Sequence, residues 1–326
     1  MTVADAPAPA PGASTGGGAG GEAKPAAPSA SRQRRPDDSP AAVARQAAGT
    51  TLWILAVFLI GFVLWLAFLS RLHYDRAQHE AYATFRASLA QATAPTGPTQ
   101  LNSSNQVQLV PSGTPVAVLN IPAIGLNAVV FQGTSGQVLE NGPGHLRDTP
   151  LPGQAGVSVI FGRRTGYGGP FNRLPRLNPG DIITVTTGQG VARYVVLDRR
   201  RAGDPYPPPL APGHGRLVLT TADGSPLTPS GVLRFDAQLT SPAFPTPEMV
   251  ISAADISPGE QPLGTDTIAW LPLVLWGQCL LLGVGVLTWL RQRWGRWQTW
   301  IVAVPVLGFL SLSIADQVTR LLPNLV

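Results

Sequence analysis

The chain predicts a mainly β fold class: a β-barrel ectodomain joined to three transmembrane α-helices, with a disordered N-terminal tail. Three observations carry that expectation. Short apolar segments rich in β-branched residues recur between residues 116 and 238, separated by Gly, Pro and Asp turn signals. Three uncharged apolar runs of about membrane length flank that region. Residues 1–50 hold too few aromatic or branched side chains to build a core.

The 44% hydrophobic and 13% charged composition of the 326 residues, with 36 glycines and 33 prolines, fits one modest folded domain between linkers and membrane segments. The net charge of +5 is carried almost wholly by arginine. No nucleic-acid-binding motif accompanies it, and several arginines border the apolar runs, so membrane topology accounts for the charge and nucleic acid is not an expected partner. With Cys279 as the only cysteine, an intrachain disulfide is excluded.

In chain order, residues 1–50 predict a disordered cytoplasmic tail. Its Arg32, Arg34, Arg35 and Arg45 precede the first apolar run and favour an inside N-terminus. Residues 51–70 predict a retained transmembrane helix, since no short charged leader precedes the run and no small-residue cleavage site follows it. Residues 71–114 predict a juxtamembrane helix, proline-free at first, and then a flexible spacer holding the domain off the membrane. His73 and His79 lie six apart, off any common helical face, and read as solvated.

Residues 115–241 carry the barrel. Its expected strands are Val116–Asn120, Ala128–Gln132, Val157–Phe161, Ile182–Thr187, Arg193–Asp198, Leu217–Thr221 and Val232–Gln238. Seven or eight short strands with little helix predict an antiparallel barrel or sandwich. A short helix is expected near Phe171, where Phe171, Leu174 and Leu177 share a face. A Pro-rich linker (242–266), a second transmembrane helix (267–290), a basic cytoplasmic loop (291–298), a third transmembrane helix (299–315) and a short external tail (316–326) complete the chain. Gly283 and Gly285 offer a small-residue face for a membrane partner through helices 2 and 3.

Two apolar strands end abruptly in polar chemistry: Val157–Phe161 runs into Gly162-Arg163-Arg164-Thr165, and Leu217–Leu219 into Thr220-Thr221-Ala222-Asp223. Together with Leu119–Leu126 (LNIPAIGL), Asn141–Gly153 (NGPGHLRDTPLPG) and Leu177–Ile183 (LNPGDII), these motifs resemble the sortase family, nearest its class E-like branch. The resemblance covers about two-fifths of the chain, from Val116 to Leu239. It implies a sortase barrel, attachment to a Gram-positive cell envelope and a cysteine transpeptidase chemistry.

The catalytic positions depart from that pattern. Where sortases carry G-H-R-T, Arg163 takes the histidine's place, and where they carry L-T-T-C, Ala222 takes the cysteine's. The family's arginine aligns with Arg234. Alanine offers no nucleophile and arginine stays protonated, so the resemblance implies a pseudo-sortase with no catalytic residue set, no cofactor and no metal site. The former cleft is a candidate ligand site of Arg163, Arg234, Thr221 and Asp223, with Arg163 and Arg234 facing one another across Ala222 and holding an anionic group. Asp223 or Asp236 is the internal alternative counter-charge.

Three functions stay open at this level. One is a membrane-anchored extracytoplasmic protein that binds or scaffolds a cell-surface protein, peptide or anionic wall polymer. Another is a cysteine-independent hydrolase or transferase with a relocated nucleophile, such as Ser225 or a threonine. The third is a structural subunit of a membrane complex. His145 reads as a structural hydrogen-bonding residue and His214 as an exposed turn residue.

Overall fold

A computed structural model of the chain describes residues 52, 56–57, 59–101, 104, 106–225, 228–265, 270–294 and 296–326. The tail expected at 1–50 lies outside the described residues, as does part of the span expected at 51–70. The strands are β1 (Thr99–Leu101), β2 (Val107–Leu109), β3 (Pro115–Ile121), β4 (Leu126–Gln132), β5 (Gly144–His145), β6 (Gly156–Phe161), β7 (Ile182–Thr187), β8 (Gly190–Arg200), β9 (Gly215–Gly224) and β10 (Pro229–Leu239). β1 and β2 form a separate antiparallel pair. The other strands close a barrel in the order β10-β8-β7-β3-β4-β5-β6-β9, sealed by β9 against β10.

The barrel is mixed rather than antiparallel. β4 pairs with β5 in parallel after a connection through residues 133–143, and β6 pairs with β9 in parallel after the chain has passed through β7 and β8. Inward side chains such as Leu119, Ile121, Val185, Leu217, Leu219 and Phe235 fill the core. Each such side chain contributes about 1.5–3 kcal/mol by leaving water. The helix expected near Phe171 is a single 3-10 turn, Leu174–Arg176, though Phe171, Leu174 and Leu177 are all buried as its pattern requires.

Residues 59–64 are helical and pass through a π-helical turn, Trp65–Leu69, into helix α1 (Ser70–Ala90). α1 lies against the barrel, burying Ala81 and Phe85. β5 is too short to pair all of β4, which leaves the backbone of Val129 open. The Gln78 side chain fills the gap: its Oε1 accepts from Val129 N at 2.7 Å, and its Nε2 donates to Val129 O at 3.2 Å and Asn141 O at 2.8 Å. The segment expected to be a loose spacer folds on itself as the β1–β2 pair and is attached to the barrel by the bonds from Gln154 to Thr96 O and from Gly113 N to Gln132 O.

The Pro-rich segment after β10 also follows the barrel instead of hanging free. Phe244 covers Gly153 and Gly190, and Glu260 is buried in a bidentate pair with Arg147. Burial alone would raise the Glu260 carboxyl pKa, but the hydrogen bonds and charge of Arg147 and the hydrogen bonds from Ser257 together outweigh it and hold the group below its ordinary value.

Among the described residues two helices, not three, are long and apolar enough to cross a membrane. They lie in α3 (Trp270–Trp294) and α4 (Arg296–Leu321). The two pack as a hairpin, with Gly283 facing Leu310 and the Trp276 and Phe309 rings meeting edge-on at 5.8 Å. Gly283 therefore serves a contact within the chain, while outer positions such as Leu281 and Ile301 stay open. α4 continues six residues beyond the expected end at 315, and its last turns are buried at Ala315, Gln317 and Thr319. The expected external tail is thus helix as far as Leu321, and its final residues turn back onto the barrel.

Candidate functional site

β6 and β9 run side by side in the same direction, with Ile160 opposite Leu219 and Phe161 opposite Thr220. Their C-terminal ends therefore emerge together and bring Gly162-Arg163-Arg164 next to Thr221-Ala222-Asp223. Gly162 N donates to Thr220 O at 3.0 Å, and Thr221 Oγ1 donates back to Gly162 O at 2.9 Å. A side chain at 162 is impossible without movement, because a Cβ there would lie 2.4 Å from the Phe171 ring.

Arg163 is 2% exposed. Its Nη1 donates to Val326 O at 3.0 Å and its Nη2 to Gly136 O at 3.0 Å, and its guanidinium lies 4.9 Å from the Tyr167 ring centre. Burial pushes its pKa down, and nearby Glu140 opposes that. Glu140 belongs to the short helix α2 (Gly136–Asn141) and is itself buried. Desolvation lifts its carboxyl to about 7 against the pull of Arg163 and Arg320. Arg320, on α4, lies 3.7 Å from Glu140 and 3.2 Å from Asp316. The Tyr167 hydroxyl meets Thr319 Oγ1 at 3.0 Å, so the end of α4 is stitched to the loop after β6.

Ala222 is also 2% exposed, covered by a small apolar cluster of Leu139, Phe161 and Leu325. The cover comes from the far end of the chain. Pro323–Val326 forms a tight turn, closed by Val326 N donating to Pro323 O at 3.0 Å. Leu325 O accepts from Arg164 N at 2.9 Å. The Asn324 side-chain NH2 donates to Thr134 O, Gly259 O and Gln261 O at 3.0, 3.1 and 2.9 Å.

The pairing of Arg163 with Arg234 expected from the sequence does not form. Arg234 lies opposite Thr220 on β10, and its charged neighbours are Arg200 and Asp236, whereas those of Arg163 are Glu140 and Arg320. Arg163 turns towards α2 and Arg234 towards β8. Of the two expected counter-charges, Asp223 is held by Arg201 Nε at 2.7 Å, whereas Asp236, held by Arg200 Nε at 3.0 Å, also acts on Arg234 and favours its charge. Thr221 is fully buried with its hydroxyl committed to Gly162. Ser225 is exposed in a bend, and no hydrogen bond joins it to a histidine or carboxylate among the described residues. His145 is buried between Gln132 Oε1 and Pro150 O, each 3.0 Å from a ring nitrogen, and burial lowers its pKa to about 4. Arg164, Glu140, Tyr167, Asn324 and Leu325 were not singled out from sequence; only Arg164 carried a signal, as the residue following Arg163 in the motif.

Residues 119–223 match the family model for the sortase domain, a segment that includes both Arg163 and Ala222. Sortase E from Streptomyces avermitilis is 31% identical over 99% of its own chain and 45% of this one, with a TM-score of 0.36. The chain belongs to the sortase family. Sortase D of Bacillus subtilis (strain 168) is 29% identical over 86 residues, 26% of this chain. The match spans 42% of that curated relative's length. A sortase D5 transpeptidase of Clostridium perfringens is similar at 17% identity, over 51% of this chain and 99% of that one, with a TM-score of 0.39. Arg234 and the docked Pro323–Val326 turn lie beyond the matched sortase segment.

Proposed function

We propose that this sortase-fold protein is a membrane-anchored, extracytoplasmic binding protein without transpeptidase activity, which uses the former catalytic cleft to hold a ligand. The observation that carries the reading is Ala222, which takes the place of the family's cysteine and lies under Leu325. Amide transfer through a covalent intermediate needs a thiolate, and a methyl group supplies none. Arg163, at the histidine's place, is a hydrogen-bond donor that does not give up its proton at working pH, so it cannot alternate as acid and base. Cys279 offers no substitute, since it lies on α3 in an apolar helix. What the cleft retains is recognition: a buried guanidinium suited to a carbonyl or carboxylate, beside an apolar socket.

The membrane reading rests on α3 and α4 and on the first apolar run. Tyr167 N donates to Ser70 Oγ at 3.3 Å and the Tyr167 hydroxyl meets Thr319 Oγ1 at 3.0 Å, so the end of the first apolar run and the end of α4 both lie beside the loop after β6. Three spans, with the barrel and those ends outside and the 291–298 loop inside, agree with the arginines at Arg291, Arg293 and Arg296.

The test is an amide-transfer assay. The full chain in detergent is incubated with sorting-signal peptides and an amine acceptor, and no product above background is expected. Product formation that disappears on Arg234→Gln would overturn the reading.

A further inference from the structure

The cleft over Ala222 is already filled, and the way it is filled describes what it binds. The main barrel core is built without any residue of the 322–326 segment, since Leu325 belongs to a separate small cluster. The cleft walls are also fixed independently of the tail. Arg163 is held by Gly136 O and Tyr167, and Arg164 Nη1 donates to Ala222 O at 3.1 Å and Gly224 O at 2.9 Å. Against those walls the tail meets a set of polar groups: Arg163 Nη1, Arg164 N, the carbonyls of Thr134, Gly259 and Gly264, and that of Gln261, which also accepts from Gly264 N. Leaving the cleft would take their tail partners from the buried Arg163 Nη1 and Thr134 O, which favours re-occupation by a ligand offering the same complement.

We propose that this cleft is a peptide-binding site, that Pro323–Val326 is its resident ligand in cis, and that a partner polypeptide bearing the same Pro-Asn-aliphatic-aliphatic turn replaces it in trans. The proposal rests on the non-catalytic reading above and names its ligand class. Specificity lies in two features. Three converging carbonyls accept from the Asn324 side-chain NH2, so an amide is read and an aspartate carboxylate is rejected by like partial charge. The socket of Leu139, Phe161, Ala222, Leu146, Val159 and Val232 then takes one aliphatic side chain, Leu325 in the cis form. The two following carbonyls are held by Arg164 N and Arg163 Nη1. The tail follows directly from α4, so exchange of cis for trans ligand frees the end of a membrane-length helix.

The test uses the full chain with Cys279→Ser and Ala222→Cys, and follows the rate at which a soluble thiol reagent labels position 222. Labelling is expected to be slow, and faster by roughly tenfold or more when Leu325→Asp ejects the tail into solvent. The synthetic peptide Leu-Leu-Pro-Asn-Leu-Val is expected to restore protection in the Leu325→Asp chain, and its Asn→Asp analogue is not. Equal labelling with and without Leu325→Asp, or failure of the peptide to restore protection, overturns the proposal. So does loss of the barrel's cooperative melting on both Leu325→Asp and the milder Leu325→Ala, which would make the tail an integral part of the fold. Failure here without amide transfer leaves the non-catalytic reading intact, whereas amide transfer by the unaltered chain removes that reading instead.

Discussion

Arg163 Nη1 donates to the carbonyl oxygen of Val326 at 3.0 Å, joining the end of β6 to a segment 163 residues further along the chain. Arg163 is therefore committed to binding a peptide carbonyl. Each of the following predictions depends on that commitment, on the elements that enforce it, or on the side of the membrane where it occurs.

Restoring sulfur alone will not restore chemistry. Ala222→Cys in the full chain is expected to give no amide transfer above background, because Leu325 covers the new thiol and Arg163 cannot relay a proton. Adding Arg163→His is expected to leave the protein inactive until Leu325→Asp also clears the cleft. Product release measured by mass spectrometry for the single, double and triple variants checks this order.

Leu325→Ala should loosen the tail without unfolding the barrel. Leu325 is fully buried, and truncating a buried leucine costs about 2–5 kcal/mol. That cost falls on docking of the 322–326 segment rather than on the main core. Hydrogen exchange is expected to speed up at the amides of Arg164, Asn324 and Val326 and to stay slow in β3, β7 and β9. Uniform acceleration across the barrel would contradict the separation of the two clusters.

Glu140 gives the cleft a pH dependence with a definite sign. Its folded pKa is raised from 4.5 to about 7, so the folded chain holds this proton more tightly than the unfolded one. Its contribution to stability is fully present below about 4.5 and is lost as pH rises through about 7. Glu140→Gln should therefore melt higher than the parent at pH 8, by an amount bounded at roughly 3 kcal/mol and reduced by the lost attraction to Arg163. His145 works in the opposite sense: its pKa is lowered from 6.5 to about 4, so its contribution is lost as pH falls through that range. Melting of parent and variant compared at each pH from 4 to 8 separates the two.

Gln78→Leu should weaken the seat of α1 on the barrel. The substitution keeps bulk but leaves the N–H and C=O of Val129 unpaired, at a cost of about 1–3 kcal/mol for each buried group that water does not reach. Exchange of the Val129 amide is expected to accelerate well before global unfolding. An unchanged Val129 amide would show that α1 contributes no pairing there.

Topology is checked by labelling in intact cells with a membrane-impermeant thiol reagent, in a Cys279→Ser background. Ser112→Cys, in the segment leading into the barrel, is expected to label, and Ser31→Cys is not. The reverse pattern would place the barrel on the cytoplasmic side.

Strands β3, β4 and β6 to β10 were legible in the sequence because each is a local pattern, whereas β1, β2 and β5, two or three residues long, are too short to show one. Alternation in Ile182–Thr187 and the apolar run in Leu217–Leu219 follow from the strand's own two-residue period. Arg163 and Ala222 are read from residue identity within short motifs, and the proposed loss of catalysis rests on that reading alone. Tertiary structure decided what those positions do. β6 and β9 are parallel because the chain returns to the same edge, the Gln78 side chain completes a sheet from a helix about fifty residues before β4 ends, and Arg163 turns to Gly136 and Val326 rather than to Arg234. The Leu-Pro-Asn-Leu-Val segment after α4 has neither length nor period, so nothing local could mark it as the cover of Ala222. That role comes from the barrel surface it meets, where an apolar socket takes Leu325 and Arg163, Arg164 and the carbonyl of Thr134 bond the tail.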